Sequence, residues 1–487
     1  MSDLRCLMPD QVIVFPPLAG LCSRADAQRA GLPVAECTAA LHRMAYAAQR
    51  LAIITAAWLP SSPEWELKQA LALHGWLDAQ HAAWIYARIA ELREPPPGMH
   101  DVPDDRLEAA FDEAMAAAST PDRVSILYGV LRPAMRQAIA EYLEKSQPLA
   151  DQPSHRVLAM IERDYASIAP WSERALELVA RLEREGRAAE HVAQRLDAAG
   201  GIAGRATRPA RAPRRAAPPR YSADVRPRRD ARFSGLFDTS TPADVAYLDE
   251  SRSPGERNAA LIFKRVREMD VPEVIAGIIA ERWMATRNAA RDAGEARAQE
   301  AARASGLDWS YFLDLFRQTW DEARHAMLGE TLLEHHGVDW RRLPINVTFS
   351  YKLARFCTPV ERHVLLYAIE QSLMPRATGK PYEHRVARDA GDTLSALFHD
   401  FDWADEVLHV EIARRCLKPE LPGGLGEARE RAEQLWARMS EALERHPLPA
   451  QKAPGGDWWT FYVRKVTGKD PAPLPDTHVK DWRPTSG

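Results

Sequence analysis

Asp321-Glu322-Ala323-Arg324-His325 and Asp405-Glu406-Val407-Leu408-His409 are the two stretches that decide how this chain is read. Each places a Glu and a His three residues apart, which makes them neighbours on one face of a helix. One such pair offers a carboxylate and an imidazole to a single point and is a weak signal. Two pairs, each joined by a Glu from another helix of a four-helix bundle, make the ligand set of a dinuclear iron or manganese site. Both copies open Asp-Glu, and an apolar helix bearing an acid lies between them.

Working outward, the first pair sits in the middle of a helix expected over about Asp308 to Leu333, with Asp308 as its N-cap. Trp309, Phe312, Phe316, Trp320 and Met327 mark an apolar stripe beside the pair. The second pair lies on a helix expected over about Thr393 to Cys416. A carboxylate beside such a stripe is costly to bury without a partner, and a metal ion supplies one. Between them, Thr358-Pro359-Val360-Glu361 reads as a capping box with proline at the first helical position. Glu361 is therefore assigned to structure. Glu370, set in the apolar run Leu365 to Leu373, is the ligand candidate. The first helix of the set reads as one long helix kinked at Pro272, with Glu273 near its centre; Glu281, on the same face, is the alternative ligand. Asp321 and Asp405 are read as acceptors for the second ring N–H of the opposite helix's His, or else as part of a solvated face. Tyr367, three residues before Glu370, is the catalytic candidate as an electron or proton relay; the alternative is a core tyrosine.

The first half carries an echo of this pattern. Asp78-Ala79-Gln80-His81 and Glu162-Arg163-Asp164-Tyr165 have leading acids 84 apart (162 − 78), as Glu322 and Glu406 are (406 − 322). Aligning Tyr128 with Tyr367 sets Leu131 opposite Glu370, and Tyr165 stands opposite His409. The helix expected from Glu36 to Leu59 has no acid after Glu36. Residues 1–190 are thus expected to form a degenerate helical bundle without metal that serves packing or homodimerisation, chance agreement of spacing being the alternative. Residues 246–487 are expected to form the di-metal bundle, with the tail at Trp458, Trp459, Phe461 and Tyr462 packing back on it. The stretch between, 191–245, is rich in Arg, Pro and Ala. From Gly204 to Phe233 it has ten Arg and only two acids, Asp224 and Asp230, and too little apolar surface to fold alone. It reads as an extended or disordered linker, or as an arm for an acidic partner or nucleic acid.

Composition agrees with a soluble helical protein: 487 residues, 46% hydrophobic and 27% charged. A net charge of -4 argues against a general nucleic-acid binder. Five cysteines with no Cys-x-x-Cys point to a reducing cytoplasm rather than a disulfide framework. Neither a signal peptide nor a membrane-spanning run is expected.

In Trp320 to Ala326 and Asp402 to His409 the chain resembles the ferritin-like di-iron carboxylate superfamily, which includes rubrerythrins and di-iron oxidases and oxygenases, and looks like a poorly characterised bacterial group within it. The resemblance covers about Pro254 to Cys416. It implies an all-α fold of two ferritin-like four-helix bundles in tandem. It also implies two irons, with manganese as the alternative, held by Glu273, Glu322, His325, Glu370, Glu406 and His409, with Glu370 or a neighbouring carboxylate as the bridge. The activity implied is that of an O2-dependent non-haem di-iron oxidase or oxygenase. It would act on a small organic substrate and draw on an external electron donor. The alternatives are a ferroxidase or peroxide-scavenging protein and a non-catalytic helical scaffold. The length of the chain, its degenerate first bundle and the lack of a rubredoxin-like four-cysteine segment depart from the family and stand against iron storage in a cage.

Overall fold

A computed structural model describes residues 15–95, 97–182, 187–204, 221–234, 236–237, 242–294, 300, 307–449 and 457–474. Every regular element among them is helical. The first half supplies α1 (Val34–Trp58), α2 (Trp65–Ala90), α3 (Arg132–Lys145) and α4 (Gln152–Ala180), with a π-helical stretch, Ser125–Leu131, leading into α3. The second half supplies α5 (Pro254–Val266), α6 (Asp270–Ala293), α7 (Trp309–His335), α8 (Pro359–Ser372), α9 (Lys380–Asp389), α10 (Thr393–Leu417), α11 (Leu425–Arg445) and α12 (Trp458–Thr467).

Local chemistry explains the boundaries. Asp308 accepts the backbone N–H groups of Ser310 and Tyr311 and so starts α7. At α8, Thr358 and Glu361 form the reciprocal capping box behind Pro359. The long first helix of the second half is broken, but not at the proline. Its break is a 3-10 turn, Arg267–Met269, and Pro272 falls in the first turn of α6, where its missing N–H costs nothing.

In the second half α6 packs on α7, α7 on α10, α10 on α8, and α8 back on α6. In the first half α1, α2, α4 and α3 close a similar circuit. The two circuits meet along α1 with α6 and α2 with α7. One apolar core therefore runs through both, joining Leu51, Ile54 and Ile85 to Ile275, Ile279, Phe312 and Phe316.

Residues 205–220 of the expected linker lie outside the described residues. Residues 221–230 lack regular structure but are anchored. The Arg229 side chain is buried against Glu273 and Asp270 and lies 5.1 Å over the Trp65 ring. Phe233 stacks on the same ring at 5.2 Å. These side chains find acids and aromatic faces that no isolated linker would meet. The tail returns as well: Tyr462 donates to the Ala259 carbonyl at 2.6 Å and Trp459 is buried. Phe461, by contrast, is 63% exposed. No described helix is long and apolar enough to cross a membrane.

Candidate metal centre

α7 and α10 carry Glu322 and His325, and Glu406 and His409, into the space enclosed by the second circuit, and all four side chains are buried. The Glu322 carboxylate lies between the two imidazoles. One of its oxygens is 3.2 Å from His409 Nδ1 and the other 3.4 Å from His325 Nδ1. Around His409, donor atoms of Glu322, Glu370 and Glu406 converge within 4.8 Å of one another. Around His325, those of Glu268 and Asp402 converge in the same way, at 3.7 and 3.2 Å from Nδ1.

Each imidazole is oriented from behind. His325 Nε2 lies 3.1 Å from Asp405, and His409 Nε2 lies 3.5 Å from Asp321. The Asp of each motif thus meets the His of the other helix, which leaves both Nδ1 atoms facing the carboxylates. Arg324 spans Asp321 and Asp405 at 2.7 Å each and ties the two motifs together.

The acid that the first helix brings to this group differs from the sequence expectation. Glu273 does not reach this group. It is buried against Lys68 of α2 at 2.7 Å, against Arg229, and against Ser350 at 2.9 Å. Nor does Glu281, which pairs with Arg362 at 2.6 Å and is 31% exposed. The acid that arrives is Glu268, from the 3-10 turn. A 3-10 turn has three residues per turn rather than 3.6, so it resets the face that follows and presents Glu268 where a continuous helix would not. Gly329 makes the approach feasible: a Cβ there would fall 2.6 Å from Val266 Cα, so a larger residue would push α5 and its following turn away from α7. Tyr367 is buried in the apolar core, with no hydrogen bond among the described residues.

Besides Glu268, two members were missed by sequence reasoning. Asp402 is four residues before Glu406 and shares its face, a signal that was readable. Lys380, the first residue of α9, is fully buried; its Nζ lies 2.8 Å from Glu406 and 3.0 and 2.9 Å from the two oxygens of Asp402. Nothing in the pattern around Lys380 announces it.

The electrostatics match a crowd of buried acids. Burial, then repulsion from Glu406, pushes the Glu370 carboxyl well above its ordinary value. Burial would do the same to Glu406, but the Lys380 ammonium, together with Glu370 and His409, outweighs it and holds Glu406 well below. Burial would lower His325, yet the charge of Asp402, the hydrogen bond to Asp405 and the nearby Glu322 carboxylate push it up to about 10. His325 Nδ1 is buried and faces three carboxylates without a hydrogen-bond partner. A buried nitrogen so placed suits a metal ion. The donor set, hard carboxylate oxygens with one imidazole on each side, suits Fe(II) or Mn(II). A further group, Glu383, His399 and Asp402, shares Asp402 with the His325 set, and its Glu383 is paired with Lys264 and with Arg265 at 3.0 Å.

In the first half, Asp78 is as buried as Glu322, but its partners are of another kind. Arg132 lies 2.6 Å away, and the Tyr165 hydroxyl donates to it at 3.1 Å. His81 turns its Nε2 to Asp164 at 3.0 Å. Glu162 is partly exposed and pairs with the half-exposed Arg136. Comparison with protein-family models, with curated proteins and with solved structures finds no match for this chain, so the reading of the centre rests on its own geometry.

Proposed function

We propose that the second half holds a dinuclear metal centre, most simply two irons, and works as an O2-dependent oxidase or oxygenase on a small organic substrate. The observation that carries this is Glu322: one carboxylate between two imidazoles, each of which has its own acids. In this reading His325, Glu268 and Asp402 would hold one ion, His409, Glu370 and Glu406 would hold the other, and Glu322 would be available to both. The ions would supply the electrons that reduce O2. The chain's own residues bury the site, orient both imidazoles through Asp321 and Asp405, and exclude bulk water from it. An external donor would return the electrons.

The same proposal takes the two helix circuits as copies of one ferritin-like bundle, the first degenerate and the second working. It is supported by the matching circuits and by the equal spacing of Asp78 and Glu162 with Glu322 and Glu406.

The test is reconstitution of the full chain with Fe(II) without air, followed by metal analysis and O2 uptake. About two irons per chain are expected from the ligand count. Uptake that needs an added organic compound supports the oxygenase. Uptake without one points to ferroxidase or peroxide chemistry. A chain that takes up no iron is a scaffold.

A further inference from the structure

We propose that the two ion positions are unequal, because the Lys380 ammonium competes for one of them and the second ion binds only by displacing it. This rests on the dinuclear reading and deepens it. Lys380 Nζ contacts both oxygens of Asp402 and one of Glu406, and lies 3.9 Å from Glu268. Asp402 and Glu268 belong to the His325 set. The ammonium thus sits on the acids that the His325 ion needs, and only Glu406 links it to the other set.

A second cation leans the same way. Arg265 reaches Asp402 at 2.6 Å and Glu268 at 2.5 Å. On the far side, the Glu370 carboxylate meets the neutral amide of Gln318 at 3.3 Å. An ion in the His325 set therefore faces two buried positive charges, and one in the His409 set faces one, Lys380, through Glu406. Buried like charges at contact distance repel strongly, because little solvent screens them. The Lys380 side chain is wholly buried, so its charge is met by these carboxylates and not by water. One ion should fill the His409 set first. The second must break the contacts of Lys380 to enter.

The test is a Mn(II) titration of the whole protein, with free Mn(II) counted by electron paramagnetic resonance. Two separate steps are expected, the second weaker on the order of tenfold or more, as for a typical negative coupling between sites. Lys380→Met keeps the length and apolar stem but removes the charge; it should tighten the second step more than the first and bring the two together. Lys380→Gln serves if the Met variant does not fold, and the two steps of the unmodified chain test the proposal without any variant. Two equal affinities in the unmodified chain overturn it and leave the dinuclear reading standing. Steps that stay equally far apart in the folded variants also overturn it. A chain that binds no Mn(II) at either position overturns both.

Discussion

Asp78 of α2 and Glu322 of α7 are both buried carboxylates, yet they are neutralised by different means. Asp78 has a guanidinium and a phenol. Glu322 has two imidazoles, each flanked by more acid. A buried charge must be balanced by something. The first half balances Asp78 with Arg132 and Tyr165, groups of the chain itself. The second half gathers Glu322, Glu370 and Glu406 around His409, and Glu268 and Asp402 around His325.

The strongest way to break this contrast is to remove both imidazoles. His325→Ala with His409→Ala should take the reconstituted chain from about two irons to nearly none by metal analysis. Equal iron in the variant and the parent would show that the His pairs are structural. Next in size is Arg132→Met in the first half. It leaves Asp78 buried and uncompensated and should cost about 3–5 kcal/mol in denaturant unfolding. Adding Asp78→Leu should recover most of that loss. A single variant as stable as the parent would mean that Arg132 is not what balances the first centre.

Gly329→Ala sharpens the comparison from inside the second half. Overpacking between α5 and α7 should cost about 1–3 kcal/mol. It should also weaken the ion held by Glu268 and His325 more than the other, as two-step Mn(II) binding would reveal. The smallest effect separates scaffold from site. Thr358→Ala removes one cap of α8 and should cost about 1 kcal/mol of stability with metal content unchanged. Its partner Glu361 is held down to about 2, first by hydrogen bonds from Arg438, although burial opposes them. A depressed carboxylate stabilises the fold above the ordinary carboxylate range and loses that contribution as pH falls toward about 2. The stability gap between the parent and Glu361→Gln should therefore close in acid. A gap that widened in acid would contradict this sign.

The legible part of the fold was the part that obeys local rules. Asp308, Thr358 and Glu361 announce helix starts because capping is a contact over three residues. The two Glu–His pairs are legible for the same reason, and so is the crossing of Asp321 and Asp405, given a metal-binding geometry. Glu268 was hidden because its face depends on a 3-10 turn, which periodicity treats as continuous helix. Glu273 looked like a ligand because a buried acid needs a cation, and the sequence does not say which. The cations it meets are Lys68 and Arg229, more than forty residues away in each case. Lys380 was hidden in the same way: a single lysine after a glycine has no pattern, and only the packing of α9 on α10 aims it.

The pairing of Lys68 with Glu273 has a consequence in time. The two residues are 205 apart (273 − 68), and synthesis at about 5–20 residues per second separates them by on the order of 10–40 s. Through that interval the Lys68 ammonium has the Leu59 and Pro60 carbonyls to bond, but not Glu273, the carboxylate it pairs with in the fold. The end of the α1–α2 hairpin must stay wet until the second half emerges from the ribosome. The older part of the nascent chain thus waits for the younger part before it can close.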